Sequence, residues 1–294
     1  MRDVTIKQNE TVYSLKEHQS NLKLLLDEFD RVCKALDIPY MLFAGTMLGA
    51  VRHEGFIPWD DDLDVIMMRE DYERFLSEAE TVLDSEKFFL QKEFSEHWPM
   101  FFSKLRLNNT TCLEKFHPRD KDMHLGIYID IFPCDNSLDS KLGKTFQFVA
   151  SKVVIAKSLY KRGYITDSSL KKIFIAFCRF LPMKPFLKFA KCGKKESGSV
   201  HSFFAAAKSY SKNVYPRNYM TQRAELRFED GFYPVSAQYD ELLRIIYGDY
   251  LTLPPDEKRK IKQHVVLVDA YKSYENYRDY YSNLKFDVLT RSMR

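Results

Sequence analysis

The chain has 294 residues, of which 45% are hydrophobic and 29% are charged, with only 10 Gly and 11 Pro. This composition excludes a disordered or collagen-like chain, because it supplies enough apolar side chains for a packed core and shows no repetitive bias. Lys and Arg number 45 against 41 Asp and Glu, and the resulting net charge of +4 favours neither a nucleic-acid partner nor a membrane surface.

The cysteines and the apolar segments limit where the protein is expected to reside. The five cysteines form no C-x-x-C pair, so they indicate neither a disulfide framework nor a zinc site. The N-terminal residues lack the apolar stretch of a signal peptide, and no apolar segment reaches the roughly 18 residues of a membrane span. We therefore expect a cytoplasmic protein.

Helical and strand patterns alternate over the first 135 residues. Residues 15–36 carry apolar side chains at helical spacing, and the short apolar run 40–45 after them predicts a buried strand. Thr46 is expected to cap a short helix that closes near Gly55. Further elements are predicted as a strand from Asp62 onward, a helix from Arg69, and strands over 88–94, 101–107 and 126–132.

Positive charge is concentrated in one segment. Residues 137–198 hold 14 basic and three acidic side chains, a local net charge of +11. Their apolar spacing predicts two basic amphipathic helices, with breaks near Gly163 and at Pro182. The tail from residue 238 also has a helical pattern, with Pro254 and Pro255 at a helix start. We predict a catalytic core over 1–136, a basic helical insertion over 137–235, and a C-terminal helical part over 236–294 that completes the core.

An acidic cluster, W-D-D-D-L-D-V at residues 59–65, runs directly into a predicted strand. Side chains alternate faces along a strand, so Asp62, Asp64 and Asp60 are expected to point the same way while Leu63 enters the core. Carboxylates grouped on one face repel each other unless a cation lies between them, and they suit Mg²⁺ or Mn²⁺. The alternative is a solvated acidic turn.

Asp130 stands in the apolar run G-I-Y-I-D-I-F-P, at residues 126–133. A buried carboxylate is costly unless it is paired or binds a metal. Asp130 is therefore a candidate for a third metal ligand or for the base that accepts a proton from an attacking hydroxyl. The alternative is a buried Asp that caps the turn before Pro133.

Several groups suited to phosphate recur near these carboxylates. Gly45 and Thr46 lie where a strand gives way to a helix, a junction that presents backbone N–H groups to anions. Arg52 follows one to two turns later, and Lys104 and Arg106 share one face of a predicted strand, where both could meet the same phosphates. Taken singly, each cation is as consistent with an ordinary surface side chain.

The stretch F-A-G-T-M-L-G-A-V-R-H-E-G-F-I-P-W-D-D-D-L-D-V, residues 43–65, strongly resembles the signature of the LicD family. This family comprises bacterial phosphocholine transferases of teichoic acid and lipopolysaccharide, and it is similar to the animal fukutin proteins. The resemblance extends to K-L-R (104–106), to residues 126–133, and to Y-G-D-Y-L-T-L-P-P, which begins at Tyr247 and has His264 beyond it. It implies an α+β fold: a nucleotidyltransferase-like mixed sheet flanked by helices, here with an added basic helical segment.

By this likeness Asp62 and Asp64 would hold Mg²⁺ (or Mn²⁺), Asp130 would be the third carboxylate, and Asp60 would assist. The implied reaction moves a phospho-alcohol, typically phosphocholine, from CDP-choline or another CDP-alcohol to a sugar hydroxyl of a glycan or lipid-linked glycan. Were choline the transferred group, its quaternary ammonium would bind aromatic faces, for which Trp59 and Tyr247 are candidates.

The sequence also admits two other functions. One is a glycosyltransferase that holds a nucleotide sugar through D-x-D, although about 60 residues leave little room for the nucleotide-binding unit that normally precedes that motif. The other is a non-catalytic protein that binds a surface glycan or a membrane. The basic helices of 137–198 admit either peripheral contact with the inner membrane face or packing as a helical subdomain with a lysine-rich solvent face.

Overall fold

The computed structural model describes residues 5–8, 11–114, 122–164, 166, 168–205, 209–259 and 265–279. Its helices are α1 (Leu15–Ala35), α2 (Ala44–His53), α3 (Arg69–Glu78), α4 (Lys141–Arg162), α5 (Ser169–Cys178), α6 (Met183–Ala190), α7 (Asn218–Thr221) and α8 (Tyr239–Tyr247). Within these ranges, none of the helices combines the length and the apolar character that a membrane crossing requires.

The strands are β1 (Thr5–Gln8), β2 (Thr11–Ser14), β3 (Met41–Leu42), β4 (Asp64–Met68), β5 (Phe88–Gln91), β6 (Ser103–Leu107), β7 (Thr111–Glu114), β8 (Tyr128–Asn136), β9 (Ser199–His201), β10 (Val214–Pro216), β11 (Arg223–Phe228), β12 (Gly231–Ser236) and β13 (Val265–Asp269). Helices and a mixed sheet therefore occur together, which confirms the predicted α+β class.

The central sheet is organised around β8. Residues 130–134 of β8 pair in parallel with β4, residues 128–131 pair antiparallel with β6, and the last two residues, Asp135 and Asn136, pair antiparallel with β9. Across the described residues this sheet has seven strands, with β3 beyond β4, β10 beyond β9, and β5 beyond β6. Because β4 and β6 flank the same part of β8, residues of three strands meet there side by side.

Helix α1 buries one face against this sheet. Ser14 and Glu17 form a capping box at its start, in which the Glu17 N–H donates to Ser14 Oγ and the Ser14 N–H donates to Glu17 Oε2. The predicted apolar stripe is buried in the main core, with Leu22, Leu25, Leu26, Phe29 and Val32 at most 1% exposed. The helix predicted over 15–36 is thus confirmed.

Three smaller sheets within the described residues were not predicted, and one of them is the antiparallel pair of β1 and β2. Strands β11 and β12 form a hairpin whose two-residue loop, Glu229 and Asp230, closes between the paired Phe228 and Gly231. Strand β13 pairs with β7. The prediction that the tail from residue 238 is helical is therefore only partly correct: α8 is helical, 256–258 form a short 3₁₀ turn, and 265–269 form a strand.

The basic segment contains three helices instead of the predicted two. Helix α4 ends at Gly163, whose φ of 87° lies in the left-handed region, and α6 begins directly after Pro182. Both predicted breaks are confirmed, and the second one separates α5 from α6. Beyond residue 198 the chain returns to the central sheet through β9 and β10. The division of the chain into three parts stays a prediction.

Candidate functional site

Three charged side chains lie in a row across β6, β8 and β4. Asp130 on β8 is the register partner of Asp64 on β4 and of Lys104 on β6. Register partners project from the same face of a sheet, so the three side chains are neighbours. Lys104 is buried, and its Nζ donates to Asp130 Oδ1 over 2.7 Å. The structure thus brings together two predicted carboxylates and one predicted cation that are far apart in sequence.

The start of α2 is hydrogen-bonded to Asp64, the member of this row on β4. The Phe43 N–H donates to the Asp64 carbonyl oxygen over 2.9 Å, and the Asp64 N–H donates to Thr46 Oγ1 over 2.8 Å. The prediction that Thr46 caps α2 is wrong, because the helix begins at Ala44 and Phe43 occupies the cap position. The Thr46 hydroxyl instead joins the first turn of α2 to β4, a contact between residues 18 apart in sequence.

Gly45 allows a carboxylate to approach this helix end. A Cβ atom built on Gly45 would lie 2.9 Å from Asp60 Oδ2. The preceding residue, Ala44, has a φ of 46°, in the left-handed region that a non-glycine residue seldom occupies. Because the N-terminus of a helix carries partial positive charge, it favours the Asp60 carboxylate beside it.

The acidic loop before β4 is held by α1. Gln19 Nε2 donates to the Asp60 carbonyl oxygen over 3.0 Å, and His18 Nε2 lies 3.0 Å from the Asp61 carbonyl oxygen. Burial lowers the pKa of His18 to about 4. The strand predicted from Asp62 begins at Asp64 instead, while these bonds hold the carbonyl groups of Asp60 and Asp61 against α1. Neither His18 nor Gln19 stood out in the sequence.

The carboxylates are placed at an energetic cost. Burial raises the pKa of Asp64 well above its ordinary value, and the negative charges of Asp62, Asp130 and Asp60 raise it further, while Lys104 opposes them. Burial also raises the pKa of Asp130, against the effect of Lys104. Lys104 itself has a pKa lowered by burial. The cluster therefore favours binding of a further positive charge or a proton.

The donor set can be tested against the expected Mg²⁺. Among the residues that the structure describes, no group of three or more His, Cys, Asp or Glu side chains is arranged to hold a metal ion. Mg²⁺ is commonly bound through one or two carboxylates, with water and substrate phosphates as the other ligands. The carboxylates of Asp62 and Asp64 supply hard oxygen atoms, which suit Mg²⁺ that also binds water and substrate phosphates. The described residues do not suit a Mg²⁺ site made of protein ligands alone.

Basic and aromatic side chains adjoin the carboxylates. Arg52 Nη1 donates to the Tyr250 carbonyl oxygen over 2.8 Å. Its pKa is lowered by burial and then by the nearby charge of Arg259, whose guanidinium carbon lies 5.8 Å from the centroid of the Trp59 ring. The pKa of Tyr247 is raised by burial and by the charges of Asp64, Asp60 and Asp62, so it adjoins the acidic cluster. Arg259 was not predicted, because nothing distinguishes it from neighbouring cations in sequence.

Arg106 lies in a different environment from Lys104. Its side chain is fully buried, with Nε donating to Gln91 Oε1 over 2.6 Å and Nη1 donating to the Gly126 carbonyl oxygen over 2.7 Å. The Tyr128 ring contacts both cations, with its centroid 3.0 Å from Lys104 Nζ and 4.8 Å from the Arg106 guanidinium carbon. The structure therefore does not bring Arg106 to the surface that the carboxylates share. His264 lies outside the described residues.

Comparison with known proteins bears on this stretch of the chain. Residues 37–137 match the family described as LicD/FKTN/FKRP, nucleotidyltransferase domain. The chain is 27% identical over 258 residues to the lipopolysaccharide cholinephosphotransferase LicD of Haemophilus influenzae, covering 84% of this chain and 95% of that relative.

Two uncharacterized proteins match over shorter stretches. One from Rickettsia typhi is 47% identical over 58 residues, which is 20% of this chain and 18% of the relative. One from Rickettsia prowazekii is 46% identical over 56 residues, 19% of this chain and 21% of the relative. The family match includes the row of Asp64, Asp130 and Lys104, and the alignment with the Haemophilus protein extends over most of both chains, so the two comparisons support the expected resemblance to the LicD family.

Proposed function

We propose that this chain is a phosphotransferase that moves phosphocholine from CDP-choline to a sugar hydroxyl of a cell-surface glycan such as lipopolysaccharide or teichoic acid, with Mg²⁺ as cofactor. The observation that carries the proposal is the register of Asp64 and Asp130 on parallel strands beside the start of α2. The similarity to a lipopolysaccharide cholinephosphotransferase supports the choice of transferred group.

The reaction is a displacement at the phosphorus atom of the phosphocholine group. The sugar hydroxyl oxygen forms a bond to that phosphorus, the bond to the bridging oxygen of CMP breaks, and CMP leaves with that oxygen. Asp130, whose raised pKa suits a proton acceptor, takes the hydroxyl proton. Lys104, which is buried beside Asp130 on the same face of the sheet, holds the Asp130 carboxylate in place.

The remaining residues bind the donor. Asp62 and Asp64 would hold Mg²⁺, which when bound neutralises phosphate charge and orients the donor phosphates. Arg52 and Arg259 supply positive charge for the same phosphates, and the N-terminus of α2 adds its dipole. Trp59 and Tyr247 offer aromatic faces to a quaternary ammonium.

The topology ahead of the acidic cluster supports this function over a glycosyltransferase. Of the central sheet as the structure describes it, only β3 precedes Asp60, and β3 pairs antiparallel with β4. A parallel strand–helix–strand unit for a nucleotide sugar is therefore missing from that described part. The row of carboxylates in the site likewise supports catalysis over a purely binding role.

Thermal unfolding with candidate donors tests the proposal. We expect CDP-choline with Mg²⁺ to raise the melting temperature of the wild-type chain, and we expect UDP-sugars to have no such effect. Arg259→Gln should weaken the stabilisation, whereas Lys87→Gln, which alters an exposed cation just before β5, should leave it unchanged. Stabilisation by UDP-sugars alone would contradict the proposed donor.

A further inference from the structure

Helix α5 exposes an apolar stripe. Its residues are 82% exposed at Leu170, 67% at Ile173 and 62% at Phe177, Phe174 is exposed among them, and Phe180, two residues after the helix, extends the stripe and is 74% exposed. The four positions within α5 have the spacing of one face of a helix. A helix on the surface of a globular domain normally turns such a face towards the core, so this orientation needs an explanation.

The contacts of α5 fix the orientation of the stripe. Cys178 is fully buried and packs with Val153 and Ala156 of α4, and Ile175 packs partly buried beside them. Lys157 of α4 also donates to the carbonyl oxygens of Cys178 and Arg179. These contacts hold the small Cys178 side of α5 inward, and they leave the larger apolar side chains outside.

The exposed stripe is surrounded by positive charge. Helices α4, α5 and α6 together contain ten Lys and Arg residues and no Asp or Glu. Lys171 and Lys172 are exposed and lie next to Leu170 and Ile173, and the Arg179 guanidinium carbon lies 4.3 Å from the Phe180 ring centroid. Exposed apolar surface combined with cations of a single sign is the composition of a helix that lies in a lipid interface.

Helix α4 repeats the pattern near its own start. Leu142, Phe146 and Val149 are each more than half exposed at positions that share one helical face, close to Lys141 and Lys144. Exposed apolar side chains next to lysines therefore occur on both α4 and α5, and not at one isolated side chain.

We propose that the surface formed by α4 and α5 docks on an anionic lipid bilayer, with the apolar stripe of α5 inserted at the level of the headgroups. Charge complementarity favours this occupant, because lysines beside the stripe attract anionic lipid whereas a second copy would bring the same positive charge against them. The proposal does not depend on the reaction proposed above, and its test measures binding without activity.

Co-sedimentation of the full chain with vesicles tests the proposal. The wild-type chain should bind vesicles of phosphatidylcholine mixed with phosphatidylglycerol at about 0.05 M salt, and binding should weaken at about 0.5 M salt, where surface charges are screened. Vesicles of phosphatidylcholine alone should bind much less. Absence of binding to the anionic vesicles at low salt would overturn the proposal without any variant.

Matched variants separate the two contributions. Lys171→Gln with Lys172→Gln should lower partitioning about 30-fold, since each cation near an anionic surface contributes about fivefold. Phe177→Ser with Phe180→Ser should lower it by at least about tenfold. The controls are Lys16→Gln with Lys87→Gln and Phe232→Ser with Leu251→Ser, all of which alter exposed side chains outside α4, α5 and α6.

Equal losses in the variants and their controls would contradict the assignment of the surface. Circular dichroism should show that all four double variants remain folded, because each altered side chain is exposed. Analytical ultracentrifugation tests whether a second copy of the chain covers the stripe instead. That assignment would follow if the wild-type chain is a dimer that does not bind vesicles, and if Phe177→Ser with Phe180→Ser converts it to a monomer.

Discussion

At the scale of single residues, Asp64 carries the electrostatic strain of the site. The raised pKa means that the folded chain holds its carboxylate less favourably than the unfolded chain does. The pKa of this carboxyl group is about 4 in the unfolded chain and higher in the folded chain. As the pH rises from the first value through the second, the free energy of unfolding falls. The cost is present at neutral pH and absent well below pH about 4.

We expect Asp64→Asn to raise the free energy of unfolding at pH 7 by about 1–2 kcal/mol in buffer with EDTA, because the variant removes a buried charge that other carboxylates repel. The gain should shrink as the pH falls towards about 4. Urea denaturation across this pH range measures it. The exposed Asp37→Asn is the control, with a change below about 0.5 kcal/mol. An Asp64→Asn variant less stable than wild type at pH 7 would show that the repulsion is not there.

The pair of Lys104 and Asp130 gives a second prediction. Lys104→Met leaves the Asp130 carboxylate, whose side chain is 18% exposed, without its cation and should cost about 3 kcal/mol of unfolding free energy. Adding Asp130→Asn to this variant should recover part of the loss, so that a double-mutant cycle shows a coupling of at least about 1 kcal/mol. Additive losses in the cycle would mean that the two side chains stabilise the fold independently.

At the scale of elements, the junction between α2 and β4 sets the geometry of the site. Thr46→Val removes the hydroxyl that accepts the Asp64 N–H, and it should cost about 1–3 kcal/mol because that N–H is left without its acceptor. Thr46→Ser keeps the hydroxyl and should cost less than about 1 kcal/mol. Chemical denaturation of both variants measures the difference. A Thr46→Val variant that costs no more than Thr46→Ser would show that the bond from the Asp64 N–H does not stabilise the fold.

Two glycines of α2 offer a contrast between activity and stability. Gly45→Ala places a Cβ against Asp60 Oδ2, a side-chain atom that can move. It should therefore leave the melting temperature nearly unchanged, while the displaced carboxylate lowers kcat/KM for transfer by about tenfold or more. Gly49→Ala places a Cβ 2.4 Å from the Gly55 carbonyl oxygen, which is backbone, and should lower the melting temperature clearly. A Gly45→Ala variant with full activity would separate Asp60 from the reaction.

The elements also show how far sequence patterns extend. Periodicity and local apolar runs predicted α1, β4 and the first part of β8, because the signals lie within each element. The hairpin of β11 and β12 could have been predicted, since residues that alternate between apolar and polar flank the turn at Glu229, Asp230 and Gly231. The run of β-branched residues in β13 likewise favours a strand. Both were missed through a preference for helix in the second half of the chain.

Contacts between distant segments could not be predicted in the same way. The spacing of Lys104 and Arg106 indicates a shared strand face, but it does not show that Trp98 and Tyr128 cover one part of that face and enclose Arg106. Likewise, the hydroxyl of Thr46 resembles a helix cap in sequence, and only the approach of β4 gives it the Asp64 N–H as a partner. Arg259 joins the site through the fold of the C-terminal part.

At the scale of the whole molecule, the net charge of +4 divides into two parts of opposite sign. Residues 137–198 carry +11, so the rest of the chain carries −7. The acidic part holds the row of Asp64 and Asp130, and the basic part holds the surface proposed to meet lipid. A whole-chain charge near zero therefore conceals two surfaces with different expected partners.

Transfer of labelled phosphocholine tests the central claim most directly. The wild-type chain, incubated with choline-labelled CDP-choline, Mg²⁺ and a lipopolysaccharide or teichoic acid preparation, should move label to the glycan and release CMP in equal amounts. Asp64→Asn and Asp130→Asn should each lower the rate by at least about a hundredfold, and Asp37→Asn should not lower it. Transfer at the wild-type rate by both site variants would contradict the account.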